Sequence, residues 1–336
     1  MGVAETDRIR ARGPRAIIDR PWADTVLDDA VSAVRRKVFE AGTAVLGVTR
    51  GYPESRALRV EALAKASVGW SRSIEALTSR DRSNPDLWLW LGRTRIEEAW
   101  ALKPDVRARA VQAQRLRAFQ QAMESARLPL LTAVALAPAD PVPWESMMWL
   151  FLGLDRPRQE KDAAWFEAVR RYPTLFPANV ARLMTLSPAW GGSSQEMLKF
   201  VREAVSQAPD GDPMPALLPL AHFEHVAAER SPMSRSGWFS DEALREVVSH
   251  AGRWLGGDGH PRAVEAHNLF GAAFYLTDLR RPARGHLMRT GGRVSSCRGA
   301  TSATRLSSFC GPVGGSTSSR GERTREVVPC GDTEKT

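Results

Sequence analysis

Cysteine is missing from everything before Cys297, and the three present, Cys297, Cys310 and Cys330, all fall near the end of the 336-residue chain. That excludes a disulfide framework and a thiolate nucleophile from the bulk of the protein, and it is the usage of a reducing compartment. Long apolar runs are also missing. The longest, 128–137 and 147–154, fall well short of the roughly 20 residues that a membrane-spanning helix needs, so no membrane span is expected. The first 13 residues alternate acids and arginines around no apolar centre, unlike a secretory signal, which makes a cytoplasmic protein the expectation. Two catalytic signatures are absent as well: there is no Gly-x-Ser-x-Gly elbow and no His-Glu-x-x-His pair. Adjacent carboxylates such as Asp28-Asp29 and Glu97-Glu98 point in different directions on a helix and describe a solvated face. The expectation is a protein without a catalytic residue or a cofactor.

What is present is material for a large core. Hydrophobic residues make up 43% of the chain, with 11 Trp and 11 Phe among them, which excludes disorder of the whole. The net charge of +9 is spread out, with basic residues gathering at 8–20, 103–127 and 280–336. Arg107, Arg109, Arg115 and Arg117 make one local basic stripe, so nucleic acid stands as the alternative partner to a protein or peptide. The pattern Ala-Val-x-x-x-Pro recurs at Ala133 to Pro138, Ala168 to Pro173 and Ala204 to Pro209, its prolines 35 and 36 residues apart. A period of that length belongs to stacked helix pairs, each proline marking where one pair hands over to the next.

Helical spacing begins after Pro21-Trp22 with Val26, Leu27, Ala30, Val34 and Val38, and Gly42 and Gly47 interrupt it. Residues 53–77 read as a second helical stretch, and Pro85 opens a third through Trp88, Leu91, Ile96 and Trp100. A long pattern then runs over 107–137, broken at Pro129. Further helices are expected at 176–186, 197–205, 213–230 and 240–255. Within the third stretch Trp88, Leu91 and Gly92 reproduce the Trp-x-x-Leu-Gly signature of tetratricopeptide repeats. Later, Gly271 and Phe274, Asp278 at a turn, then Ala283 and Leu287 follow that family's spacing more closely. The chain resembles a tetratricopeptide-like helical-repeat protein over residues 85–290, with irregular copies. The run from Tyr172 through Trp190-Gly191-Gly192 to Glu196-Met197 also resembles uncharacterised helical-repeat proteins of actinobacteria. The resemblance implies an all-α chain, an α-solenoid of antiparallel helix hairpins, that binds a protein or peptide on a helical face.

The domain reading is a polar N-terminal lead over 1–20, the helical-repeat domain over 21–290, and a disordered tail over 291–336. In the tail the apolar period stops, Gly and Ser dominate and every cysteine appears, a set of changes that a frameshift would account for. Candidate site residues are few. His222, His225 and Glu229 share one helical stretch and could ligate a metal, as in a metal-assisted hydrolase, but an amphipathic helix with its polar groups in solvent or lining a groove is the reading preferred. Ser193 is a helix cap with Glu196 three residues on, and the preceding Gly-Gly lacks the strand and lysine of a phosphate loop. Trp88, Trp144 and Trp165 stand at repeat spacing and are expected in the core. Trp90, Trp190 and Trp238 stand off that register and are the candidates for a partner-binding surface.

Overall fold

A computed structural model describes residues 17–102, 109–228, 239–254 and 259–294. The described chain is all-α apart from one two-residue strand pairing. Asp24 caps the first helix, α1 (Thr25–Arg35), by accepting the Leu27 N–H at 3.0 Å, and Leu27, Ala30, Val31 and Val34 fall on its buried side. Lys37, at a φ of 69°, turns the chain into α2 (Glu40–Gly47). The stretch 53–77 is two helices, α3 (Pro53–Ala66) and α4 (Ser71–Arg80), because Gly69 takes a φ of 88° that a side chain would resist. The pattern over 107–137 is likewise two, α6 (Arg109–Glu124) and α7 (Arg127–Leu136), after the long α5 (Pro85–Leu102). The break falls at Ser125–Ala126, just ahead of Pro129, whose ring could not follow a helical turn through Ser125. Pro129 sits in the first turn of α7, where a helix has no use for its missing N–H.

The remaining helices are α8 (Val142–Gly153), α9 (Arg158–Val169), α10 (Phe176–Leu186), α11 (Ser194–Ser206), α12 (Leu217–Ala228), α13 (Asp241–Trp254), α14 (Ala263–Leu276) and α15 (Arg280–Arg289). Ser193 caps α11 as the sequence suggests, accepting the Glu196 N–H at 3.1 Å. One series of helices packs in succession: α3 on α5, α5 on α8, α8 on α10, α10 on α12 and α12 on α14. The others lie against that series, α4 and α7 on α5, α9 and α11 on α10, α13 on α12 and α15 on α14. Glycine sets two of these approaches. A Cβ on Gly92 would lie 2.6 Å from Leu130 of α7, and one on Gly271 would lie 2.6 Å from Leu287 of α15. Both glycines are those of the repeat signature, and Asp278 makes the α14–α15 turn at a φ of 61°.

The end of the described chain returns to its beginning. Ile17–Ile18 pairs in parallel with Arg293–Val294, and Arg293 Nη2 meets Asp28 at 2.6 Å. Asn268 donates to the Arg293 carbonyl at 3.0 Å. Residues 17–20 and 291–294, which the sequence places in a lead and a tail, therefore belong to the fold: Gly291 and Gly292, at φ of 58° and 75°, turn the chain back toward α1. Residues 1–16 and 295–336, all three cysteines among them, lie outside the described residues.

Trp90 departs from the expected tryptophan register, while Trp88, Trp144 and Trp165 pack against the core as expected. Trp90, read as an exposed candidate, is fully buried; its Nε1 donates to Ser67 Oγ at 3.2 Å and its ring packs at 6.1 Å from Phe39. Gly42 makes the room, since a Cβ there would lie 2.5 Å from the Trp90 ring, so this glycine sits inside α2 and does not end a helix. Trp88, Trp144 and Trp165 are half-buried. Arg171 lies over the Trp144 ring at 5.5 Å and Arg182 over Trp165 at 5.0 Å, so each indole seals the edge of the core under an arginine.

Candidate functional site

Buried charge, which local spacing does not announce, converges on the central series of helices. At the starts of α3, α5 and α8, Arg56 meets Asp86 at 2.7 Å and Asp140 at 2.6 Å, with Arg56 and Asp86 each 1% exposed. Asp140 also accepts the Val142 N–H at 3.0 Å, so the same carboxylate satisfies the first N–H of α8. Burial nevertheless pushes the Asp140 carboxyl up, against the pull of Arg56 and that N–H. One level along, Arg93 of α5 grips Glu145 of α8 at 2.9 and 3.1 Å and touches Glu97 at 3.3 Å. Trp149 Nε1 and Ser146 Oγ complete the Glu145 shell at 2.8 and 3.2 Å. Burial opposes the charge on Arg93, but Glu145, Glu97 and Glu61 outweigh it and hold its pKa above the ordinary value.

A third group joins α3 to the start of α14. Glu61 accepts from Lys65 at 2.5 Å and from Arg262 Nη1 at 2.9 Å, and the same Nη1 donates to Glu265 at 3.0 Å. Burial would raise Glu61, yet Lys65, Arg262 and Arg93 together hold it well below the usual carboxylate range. Glu265 goes the other way, raised by burial against the charge of Arg262. Glu54, about two turns toward the start of α3, accepts the Phe176 N–H of α10 at 2.6 Å through one oxygen. Its other oxygen has no partner, and burial pushes its carboxyl up to about 8 against the pull of Arg262. A carboxyl of that kind keeps its proton at neutral pH.

Beside this group, between α1, α3 and the start of α14, lies a cleft of about 570 Å³. Asp24, Ser55, His260, His267 and Arg289 line it. Burial, and then the charge of Arg262, lowers the His260 pKa to about 4, so the ring is neutral. Its Nδ1 accepts the Arg262 N–H at 3.1 Å, which places the ring proton on Nε2. His267 Nδ1 faces His286 Nδ1 at 2.9 Å and also accepts from Trp254 Nε1 at 3.4 Å, all three rings being buried.

The residues singled out from sequence are scattered by the fold. His222 is 6% exposed and its Nε2 lies 3.6 Å from Glu246 of α13, whereas His225 Nδ1 meets Ser194 of α11 at 2.9 Å. Glu229 lies outside the described residues, among which no group of three His, Cys, Asp or Glu is placed to hold a metal. The expectation that this helix turns its polar groups to solvent is corrected. α12 packs against α10, α11, α13 and α14 and is apolar nearly all round, so His222 and Glu224 are enclosed. Trp190 is half-buried, edge-on to Trp100 at 5.9 Å, at the turn that follows α10. Trp238 lies outside the described residues, as does Arg107 of the basic stripe, while Arg115 and Arg117 are exposed on α6. No helix among the described residues is long and apolar enough to cross a membrane. No protein-family model matches the chain, and neither a curated protein nor a solved structure matches it.

Glu224 yields a measurable consequence. It is 2% exposed, one oxygen has no partner, and burial raises its pKa to about 7. A carboxyl raised on folding contributes its full stability below the unfolded pKa, near 4.5, and loses it as pH rises through about 7. Glu224→Gln should therefore unfold at higher urea than the parent at pH 8, by about 3 kcal/mol, and at nearly the same urea at pH 4.5. An equal gain at both pH values would show that the carboxyl is not the cause.

Proposed function

We propose that the protein is a non-catalytic helical-repeat scaffold that binds a segment of another protein. In this reading the central helix series and the helices laid against it are the two layers of an α-solenoid of antiparallel hairpins, as the 35- and 36-residue recurrence and the Gly92 and Gly271 approaches suggest. The observation that carries the function is the outward face of α7. Leu128 is 70% exposed, Leu131 44% and Leu136 41%, and Thr132 and Ala135 complete a face without a single charge. Its opposite face is spent on Leu130 and Ala133 in the core. A helix apolar on both sides is normally covered on both. The carboxylates and arginines of the interior, by contrast, are mostly committed to one another.

The occupant is an amphipathic helix with leucines at i, i+3 and i+7 and acidic flanks, since the chain carries a net charge of +9 and Arg115 and Arg117 are exposed on the preceding helix. Fluorescence anisotropy with synthetic helices checks this. A leucine-striped, glutamate-flanked peptide should bind the parent and bind Leu128→Glu/Leu131→Glu at least tenfold more weakly, about 1.4 kcal/mol. Its lysine-flanked counterpart should bind poorly to both. Equal binding to parent and variant would remove α7 as the site, and a concentration-dependent dimer abolished by the variant would replace the foreign partner with a second copy.

A further inference from the structure

The central helix series returns on itself. Arg262, at the start of α14, donates to Glu61 of α3 at 2.9 Å, so the last helix of the series meets the first. This junction differs from the others in what fills it. The apolar interior forms two cores, one running from Trp22 to Ala181 and one from Leu152 to Ala283. They join along α8 and α10: Phe151 and Ala181 belong to the first, Leu152 and Leu183 to the second, and Trp149 packs against both. Among the described residues no side chain of α1, α2 or α3 belongs to the core that holds α14 and α15, and the buried Val264 and Val294 belong to neither. The cleft of about 570 Å³ stands between those helices, and polar bonds cross beside it. The Ile17 N–H donates to the Gly292 carbonyl at 2.9 Å, the Asp19 N–H donates to the Val294 carbonyl at 3.1 Å, and Arg293 meets Asp28 at 2.6 Å. Each half is anchored on its own side. Arg20 and Trp22 hold Asp28 at 3.3 and 3.1 Å, while Asn268 of α14 holds the Arg293 carbonyl at 3.0 Å.

We infer that this junction is a clasp: the strand pairing, the Asp28–Arg293 pair and the Glu61–Arg262 pair release together, and the first and last helices part around the cleft while both cores stay folded. Separating polar partners returns them to water, an exchange that is nearly even for pairs already touching solvent, whereas parting helices elsewhere in the series exposes apolar surface. The Asp28 and Arg293 side chains are 18% and 17% exposed and that of Glu61 25%, so water reaches both pairs from outside. Arg262 keeps Glu265 when Glu61 leaves. α8 and α10, which carry residues of both cores, are the hinge. Opening widens the cleft, because its walls, Ser55 and Leu58 on α3 and Ala263, Val264 and His267 on α14, belong to opposite sides of the clasp. The clasp is independent of the α7 face.

Thiol labelling under native conditions tests this in the full chain carrying Cys297→Ser, Cys310→Ser and Cys330→Ser. Val264→Cys reports the clasp, while Val34→Cys and Val201→Cys, each enclosed in one of the two cores, report unfolding. Against excess maleimide, Val264→Cys should react faster than both controls. Its rate should change little in low urea, where the controls accelerate steeply, because opening the clasp exposes far less surface than unfolding a core. Adding Arg293→Gln, which removes one charged hydrogen-bonded pair, should speed Val264→Cys by about tenfold. Raising NaCl from about 0.1 to about 1 M should speed it as well, by screening that pair. Ile74→Val, which loosens the first core, should speed Val34→Cys and leave Val264→Cys unchanged. A Val264→Cys rate equal to the controls, a shared urea dependence, indifference to both Arg293→Gln and salt, or acceleration by Ile74→Val would each show that the two ends of the chain are a fixed part of one cooperative structure.

Discussion

Trp90→Ala is expected to destabilise the protein by about 3–5 kcal/mol, the range for deleting a large enclosed aromatic whose cavity cannot collapse. The cavity would be held open from several sides. Trp90 lies on α5, its ring is seated against Gly42 of α2 and Phe39 before it, and its Nε1 satisfies the buried Ser67 hydroxyl at the end of α3. Backbone from three helices would have to move to fill the space. Trp144→Ala and Trp165→Ala should cost less, about 1–2 kcal/mol, because each ring already faces solvent on one side and its arginine cover can settle into the gap. Urea unfolding of the three variants measures the order directly. A Trp144→Ala loss larger than that of Trp90→Ala would restore the repeat register and overturn the packing described here.

Arg56→Met should be equally damaging, about 3–5 kcal/mol, for an electrostatic reason. Arg56 is 1% exposed and is the hinge of the ion pairs that join the starts of α3, α5 and α8. Its loss leaves Asp140, 8% exposed, without a cation, and Asp86 with Arg50 alone. The penalty belongs to the abandoned carboxylate more than to the lost attraction. Arg56→Met/Asp140→Asn should therefore recover a large part of the stability, although it removes a second charged group. Lowering the pH toward 4 should also narrow the gap between Arg56→Met and the parent, since protonating Asp140 is made easier by burial. If the double variant were less stable than Arg56→Met alone, the pair would not be the unit of stability.

Helix content was legible in the sequence because it is written locally. Asp24 and Ser193 announce their caps within three residues, Pro53 and Pro85 announce helix starts, and Gly92, Gly271 and Asp278 mark close approaches and a turn that the structure contains. Which side of a helix faces inward was much less legible. α5, α8, α12 and α14 are enclosed by neighbours on several sides; α8, α12 and α14 carry apolar residues almost all round and α5 buries charged residues beside apolar ones, so a 3.6-residue period has little contrast to report. Trp88 and Trp90 are two residues apart on such a helix, and only the presence of Gly42 across the interface decides which of them is buried.

The candidate site was not legible at all. Its pairs join residues far apart in sequence: Arg56 with Asp140, Glu54 with Phe176, Glu61 with Arg262, and Asp28 with Arg293. A glutamate such as Glu54 or Glu224 reads in sequence as a solvated charge, because solvation is the default for an isolated carboxylate. The sequence alone determined that the chain is helical, where several helices begin, and that Gly92 and Gly271 stand at close approaches. Only the tertiary structure decided which charges are enclosed and with whom, because burial depends on helices brought together from distant parts of the chain, and a carboxylate's proton affinity is set by that enclosure more than by its neighbours in sequence.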